Sequence, residues 1–250
     1  MSAALDIQGL SKRFGQLDVT RNVSLSLPVG ARHALIGPNG AGKSTLMNLL
    51  TGVLKPNAGV VRVGGTDVTS MPSHKRVKLG LARTFQLNTL FDTLTVAENV
   101  ALALSARSGL DGRVGKPMAS RPAVVEEAAE RLRALGMLDL AGRRIDELAY
   151  GQRRQVEIAL GLALDPKVLL LDEPVAGVPS GQGRKLFELL ERLPEDVAVM
   201  VIEHDMDLVF RFARRITVLV EGAVLMEGEK DDVRRDPRVR DIYLGRRHHD

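Results

Sequence analysis

Residues 37–45 read GPNGAGKST, that is Gly37-Pro38-Asn39-Gly40-Ala41-Gly42-Lys43-Ser44-Thr45, and they satisfy the pattern G-x-x-x-x-G-K-[ST]. Ahead of them stands the short apolar stretch Ala34-Leu35-Ile36, and behind them Leu46, Met47, Leu49 and Leu50 recur at helical spacing. The order is therefore strand, glycine-rich turn, helix, which is the context a phosphate-binding loop requires. Glycines let successive backbone N–H groups turn inward around an anion, and the following helix adds its positive end. Lys43 is expected to hold β- and γ-phosphates, and Ser44 to offer its hydroxyl to Mg²⁺.

Working outward, Asp6 to Leu27 alternates as half-buried antiparallel strands broken at Phe14-Gly15, and Val60 to Val63 reads as a further strand ended by Gly64-Gly65. Lys75 to Ala82 and Val96 to Leu104 are expected to be helical, and Gly109 to Arg121 to be a loop. A helix starts at Ser120-Pro122 and stops at Gly136, and a second begins near Gly151. Three apolar strands follow, Val168 to Leu171, Val197 to Ile202 and Ile216 to Val220, with a helix carrying Leu186, Leu189, Leu190 and Leu193 between the first two. This pattern is α/β, with βα units on both sides of a helical middle. The tail from Arg246 to Asp250 is expected to fray.

Composition narrows the classes. The chain has 250 residues, no Cys and no Trp, 3% aromatics and a net charge of +4. A disulfide scaffold and a cysteine metal site are excluded. Basic and acidic residues alternate without a nucleic-acid-binding box, so nucleic acid is not an expected partner. Apolar stretches stay far below the ~18 residues of a membrane span and the first residues lack signal-peptide features, so a soluble cytoplasmic chain is expected.

The second chemical signal is VLLLDEP, Val168 to Pro174, an apolar strand with two carboxylates at its C-terminal end. Ligands of open α/β sheets bind at such ends, so Asp172 can converge with the phosphate loop and take Mg²⁺, mostly through water, while Glu173 polarises an attacking water. An acidic pair in this place is otherwise a helix cap or a turn. His204 follows the next apolar strand, where an imidazole could reach a γ-phosphate; a solitary histidine is otherwise a surface or core residue.

Together these residues resemble the ATP-binding subunit of an ABC transporter over nearly the whole chain. The resemblance implies a P-loop NTPase (RecA-like) core, an antiparallel β subdomain and an inserted helical subdomain, with the core over 1–86 and 165–250 and the helical part over 87–164. It implies that Phe14 stacks on adenine, that Gln86 in ARTFQ is a catalytic and metal-site residue that links the site to a membrane partner, and that His204 in IEHDM is the switch histidine. The signature sequence corresponds to LAYGQ, in which Ala149, Gly151 and Gln152 would face a nucleotide held by a second ATPase subunit. LAYGQ departs from the commoner LSGGQ, because Ala149 lacks the serine hydroxyl, which leaves more of the anion binding to Gly151, Gln152 and the helix N-terminus. The loop VPSGQ after Gly177 also lacks the family's usual aspartate.

LAYGQ, LDEPVAG, IEHDMDLVF and the C-terminal YLG look like the branch that imports branched-chain amino acids, and urea-import ATPases look similar. The implied substrate and cofactor are ATP and Mg²⁺. The implied partners are a second ATPase subunit, integral membrane permease subunits and, indirectly, a periplasmic solute-binding protein, with the chain at the cytoplasmic face of the inner membrane. Two other readings remain: a soluble ABC-type ATPase outside transport, and an ATP-binding regulator that closes without hydrolysis, which would leave Glu173 without a task.

Overall fold

A computed structural model describes residues 3–84, 90–107, 122–178 and 182–244. Strands β1 (Ala3–Phe14) and β2 (Leu17–Pro28) form an antiparallel hairpin. Val23, Leu25 and Leu27 are buried while Ser24 and Ser26 are exposed, as strict alternation requires of a sheet wet on one face. The chain then enters a second sheet with β3 (Arg32–Ile36), turns through the glycine-rich loop and forms α1 (Lys43–Thr51). It returns to the first sheet with β4 (Ala58–Val63) and β5 (Thr66–Asp67), giving the order β2-β1-β4-β5.

The helix α2 (Ser73–Lys78) and strand β6 (Leu81–Thr84) come next, and here the expectation of one helix from Lys75 to Ala82 is corrected. Gly80, at φ +97, ends the helical run, and a Cβ there would lie 3.0 Å from the Lys167 backbone nitrogen. That close approach lets Leu81 pair with Val168 and Thr84 with Leu171, so sheet pairing overrides the local helical pattern. Then α3 (Val96–Arg107), α4 (Pro122–Ala134) and α5 (Tyr150–Ala163) form the helical middle. Gly136, at φ +70, lies where the stop of α4 was expected.

The remaining elements are β7 (Val168–Asp172), α6 (Gln182–Glu191), β8 (Ala198–Ile202), α7 (Met206–Phe212), β9 (Arg215–Val220), β10 (Ala223–Glu229), α8 (Lys230–Arg235) and α9 (Pro237–Leu244). The second sheet has the order β10-β9-β3-β8-β7-β6 and is parallel except for β10, which pairs antiparallel with β9. Its central strands β3, β8 and β7 are buried on both faces. Leu169, Leu171, Val199 and Val201 join the helices on one side, whereas Val168, Leu170, Ala198 and Met200 pack with α1 and the antiparallel sheet on the other. That sandwich of two cores explains the continuous apolar runs of Val, Leu and Ile that replace alternation here. The expected loop over 109–121, the tail 246–250 and Gln86 lie outside the described residues.

Candidate active site

The C-terminal ends of β3, β7 and β8 are neighbours, because β3 pairs with β8 and β8 with β7. Residues 37–45, Asp172, Glu173 and His204 all follow the sheet at that edge. Gly37 follows β3 directly, and a Cβ there would sit 2.1 Å from the Leu219 carbonyl oxygen. Gly42, at φ +95, would place a Cβ 2.5 Å from the Val19 carbonyl oxygen. Only glycine fits between these carbonyls. The loop is also clamped from outside: Gly222 N–H donates to the Ala41 carbonyl at 3.0 Å, and Arg21 N–H donates to the Gly222 carbonyl at 2.7 Å.

Lys43 is 7% exposed and donates from Nζ to the carbonyls of Gly37 at 2.7 Å and Pro38 at 3.0 Å. Those bonds fold its side chain back along the loop and hold the ammonium group beside the glycines. Burial pushes its pKa down, and the nearby charges of Glu173 and Asp172 push it up. The N-terminus of α1 carries no acidic residue in its first turn and no side-chain cap, so its positive end is left for an anion. Pro38 and Thr45 are half-buried, and Asn39, Gly40 and Ser44 are exposed.

Asp172 ends β7, and its Oδ2 accepts from Arg83 Nη2 at 2.6 Å in a pair nearly closed to solvent. Arg83 also donates from Nη1 to Asn48 Oδ1 at 2.7 Å, which ties α1, β6 and β7 together. Among the described residues Asp172 Oδ1 makes no side-chain hydrogen bond. One carboxylate oxygen at the sheet edge together with the exposed Ser44 hydroxyl suits Mg²⁺, which keeps several waters and needs few protein ligands. No group of three or more acidic or histidine side chains that would hold a metal in an all-protein cage occurs among the described residues.

Glu173 stands at φ +47, a left-handed conformation that costs a residue with a side chain about 1–3 kcal/mol. Its N–H donates to the Ile202 carbonyl at 3.0 Å, and its Oε1 lies 2.6 Å from His204 Nε2. The strand-end histidine therefore meets the carboxylate expected to polarise water. Beside them is Glu203, which sequence reasoning did not single out. It is 3% exposed and accepts from the Val175 N–H and the His204 N–H, each at 3.1 Å. Burial raises its pKa, against the pull of those backbone donors. Two ionisable residues directly after a wholly apolar strand, Glu203 and His204, were the available signal.

Phe14 is 47% exposed at the end of β1 with Lys12 Nζ 5.2 Å from its ring centroid, so an open aromatic face is present on the hairpin whose Val19 abuts the loop. The LAYGQ residues are placed differently. Ala149 is the N-cap of α5 with no side-chain cap bond, and Gln152 Oε1 accepts from the Ala149 N–H at 3.0 Å. Among the described residues no hydrogen bond joins Ala149, Gly151 or Gln152 to residues 37–45. Lys43, Asp172, Glu173 and His204 thus gather at one edge, and among the described residues Ala149, Gly151 and Gln152 make no hydrogen bond to them.

The chain is similar to known proteins over nearly its whole length. The family model described as ABC transporter matches residues 20–176. The chain is 38% identical over 248 residues to the high-affinity branched-chain amino acid transport ATP-binding protein LivG of Salmonella typhimurium, covering 96% of this chain and 97% of the relative. It is 37% identical, with the same coverage, to the corresponding protein BraF of Pseudomonas aeruginosa. The structure is similar to the ADP conformation of MJ1267, an ATP-binding cassette of an ABC transporter, with a TM-score of 0.83, 32% identity and coverage of 98% of this chain and 99% of that one. It is also similar to the dimeric post-hydrolysis state of the cassette MJ0796 bound to ADP and Pi, at a TM-score of 0.73 and 27% identity over 90% of this chain and 98% of that one. With a phosphate loop, two strand-end carboxylates and a strand-end histidine on one sheet edge, and with relatives matched nearly end to end, the chain belongs to the ABC transporter family as one of its ATP-hydrolysing cassettes.

Proposed function

We propose that this ATPase powers import of branched-chain amino acids through a separate membrane permease, acting at the cytoplasmic face of the inner membrane. The observation that carries the reading is the convergence of Lys43, Asp172, Glu173 and His204 in a chain whose near-full-length relatives are branched-chain amino acid transport ATP-binding proteins. Among the described residues no helix is long and apolar enough to cross a membrane, so the translocation path belongs to other chains. A periplasmic solute-binding protein would deliver the solute to them.

In this mechanism residues 37–45 cradle the phosphates of ATP, and Lys43 neutralises the β- and γ-oxygens. Ser44, Asp172 and Gln86 would hold Mg²⁺, which supplies charge neutralisation of the same oxygens. Glu173 takes a proton from the water that attacks the γ-phosphorus, and His204 Nε2 at 2.6 Å fixes the aim of that carboxylate. Little covalent work falls to the protein, so rate follows from positioning and charge. Phe14 stacks on the base.

The core over 1–86 and 165–250 and the helical part over 87–164 are read as two bodies of one cassette. Two cassettes lie head to tail, so that Ala149, Gly151, Gln152 and the positive end of α5 meet the ATP on the opposite phosphate loop. Hydrolysis removes the shared γ-phosphate and the pair reopens, moving the helical part and with it the permease. The test is solute uptake by proteoliposomes holding the chain with its permease and binding protein. Mg-ATP-dependent accumulation of leucine, isoleucine or valine is expected. Accumulation of urea in their place would overturn the solute assignment, and uptake that persists with Glu173→Gln would overturn the site.

A further inference from the structure

Two positions of LAYGQ have no use in the mechanism above: Leu148 is buried in the core, and Tyr150 is exposed, with its side chain turned toward its own chain's catalytic loop. Its hydroxyl donates to the Ala176 carbonyl at 3.2 Å. The same oxygen accepts from Arg154 Nε at 3.1 Å and Nη2 at 2.7 Å, and the guanidinium carbon lies 5.2 Å from the ring centroid. Two donors on Arg154 thereby leave the hydroxyl proton of Tyr150 directed at the peptide of Ala176.

Ala176 is one turn from Glu173. The Ala176 N–H donates to the Glu173 carbonyl at 3.0 Å, so the same residue is held by the tyrosine through its carbonyl and by the glutamate through its amide. Val175, between them, donates its N–H to Glu203 Oε1 at 3.1 Å, and Glu203 Oε2 accepts from the His204 N–H at 3.1 Å. His204 Nε2 closes the circuit on Glu173 Oε1 at 2.6 Å. Gly177, at φ +73, completes the turn with the tyrosine ring 3.4 Å from where its Cβ would be. Glu173 at φ +47 persists only because its surroundings over-determine it. Of the contacts that do so, the bond from Tyr150 comes from α5, and the bonds to Ile202 and through Glu203 come from the end of β8.

We propose that Tyr150 is a positioning residue for hydrolysis in its own subunit: through Ala176 it fixes the backbone at Glu173, so that the placement of α5 sets the aim of the water-polarising carboxylate in cis. The same helix start then has two tasks on two sites, with Gly151 facing the partner's nucleotide and Tyr150 holding its own subunit's base. A glycine at this position, as in the commoner LSGGQ, has no side chain to make this tie.

The inference rests on Glu173 as the base and on the paired cassettes proposed above, and mixed dimers test it separately from them. Tyr150→Phe keeps the ring and removes one hydrogen bond, so kcat for Mg-ATP should fall about 3- to 10-fold with KM for ATP and the unfolding temperature unchanged. Arg154→Met, which leaves the hydroxyl undirected, should act in the same direction and by less. Differently tagged chains are then paired so that one carries Glu173→Gln and the other supplies the only working base. The loss should appear when Tyr150→Phe is on the chain with intact Glu173 and vanish when it is on the Glu173→Gln chain. A loss in the second arrangement, in both, or in neither overturns the inference. Turnover by a dimer with Glu173→Gln in both chains overturns the assignment of the base.

Discussion

At the N-terminus of α1 the chain closes around its own loop, and at the N-terminus of α5 it leaves a helix end without a side-chain cap. The first is preceded by a strand buried on both faces, flanked by glycines that carbonyls of Val19 and Leu219 would not permit to be anything else, and supplied with a lysine 7% exposed. The second is capped by an alanine without a side-chain acceptor, begins with a tyrosine 46% exposed, and has only Gln152 reaching back to its first N–H. Both ends present unpaired helix N–H groups to an anion. The difference is enclosure: α1 has its counter-groups within the chain, whereas under the proposed pairing the open side of α5 would be completed by a phosphate held on another molecule. On the proposed head-to-tail pairing a cassette built this way would hydrolyse only when paired, since neither helix end alone would surround the γ-phosphate.

The largest test of that contrast is Glu173→Gln. The amide keeps the shape and loses the base, so hydrolysis should fall by about 10²- to 10⁴-fold while ATP still binds. The variant should then accumulate as a dimer in ATP and Mg²⁺ by size-exclusion chromatography; a monomer under those conditions would break the idea that α5 is finished by a partner. Lys43→Ala should weaken ATP binding about 10²-fold, through the loss of charge-assisted bonds worth about 1.5–3 kcal/mol each. An equilibrium titration checks it, and unchanged affinity would remove the enclosed site from α1.

Gly151→Asp probes the open end. A carboxylate in the first turn favours the helix itself, so folding should survive, but it faces the incoming anion. ATP affinity of the monomer should match the parent chain, and turnover should fall about 10-fold or more by loss of pairing. A monomer that no longer binds ATP would show that α5 belongs to its own subunit's nucleotide. The smallest effect on the site is expected from His33, on β3 behind the loop. Its Nε2 lies 2.8 Å from Thr217 Oγ1, and burial lowers its pKa from the ordinary 6.5 to about 4, with the charge of Arg215 adding to the shift. Between those values the unfolded chain binds a proton that the folded chain does not. Stability is therefore complete above pH 6.5 and falls by about 3 kcal/mol as the pH drops to 4. Denaturant titrations across that window should show the loss, and His33→Gln should flatten it while leaving turnover at neutral pH in place.

How much could be read in advance follows the same division. Local order carried the enclosed site: GPNGAGKST between an apolar strand and an amphipathic helix names its chemistry, because spacing along one turn fixes which backbone groups point inward. The strand candidates Val168 to Leu171 and Val197 to Ile202, which lead to Asp172 and His204, were legible as continuous apolar runs, since a parallel sheet covered on both faces admits little else. The strand β6 was not, because Leu81 to Thr84 carries no pattern that separates it from the helix before it, and its partner Val168 is far along the chain. Arg83 and Glu203 stayed invisible for the same reason: a charged residue beside an apolar run looks like a surface residue until Asp172, or the Val175 and His204 amides, are brought against it. The phosphate loop, the α/β alternation and the family are written in local order, because each depends on neighbours within a few residues. The bond of Glu173 to His204, the pairing of Asp172 with Arg83 and the turn of Tyr150 back to Ala176 come from the folded chain, because each joins groups from different elements whose meeting is set by sheet order and core packing.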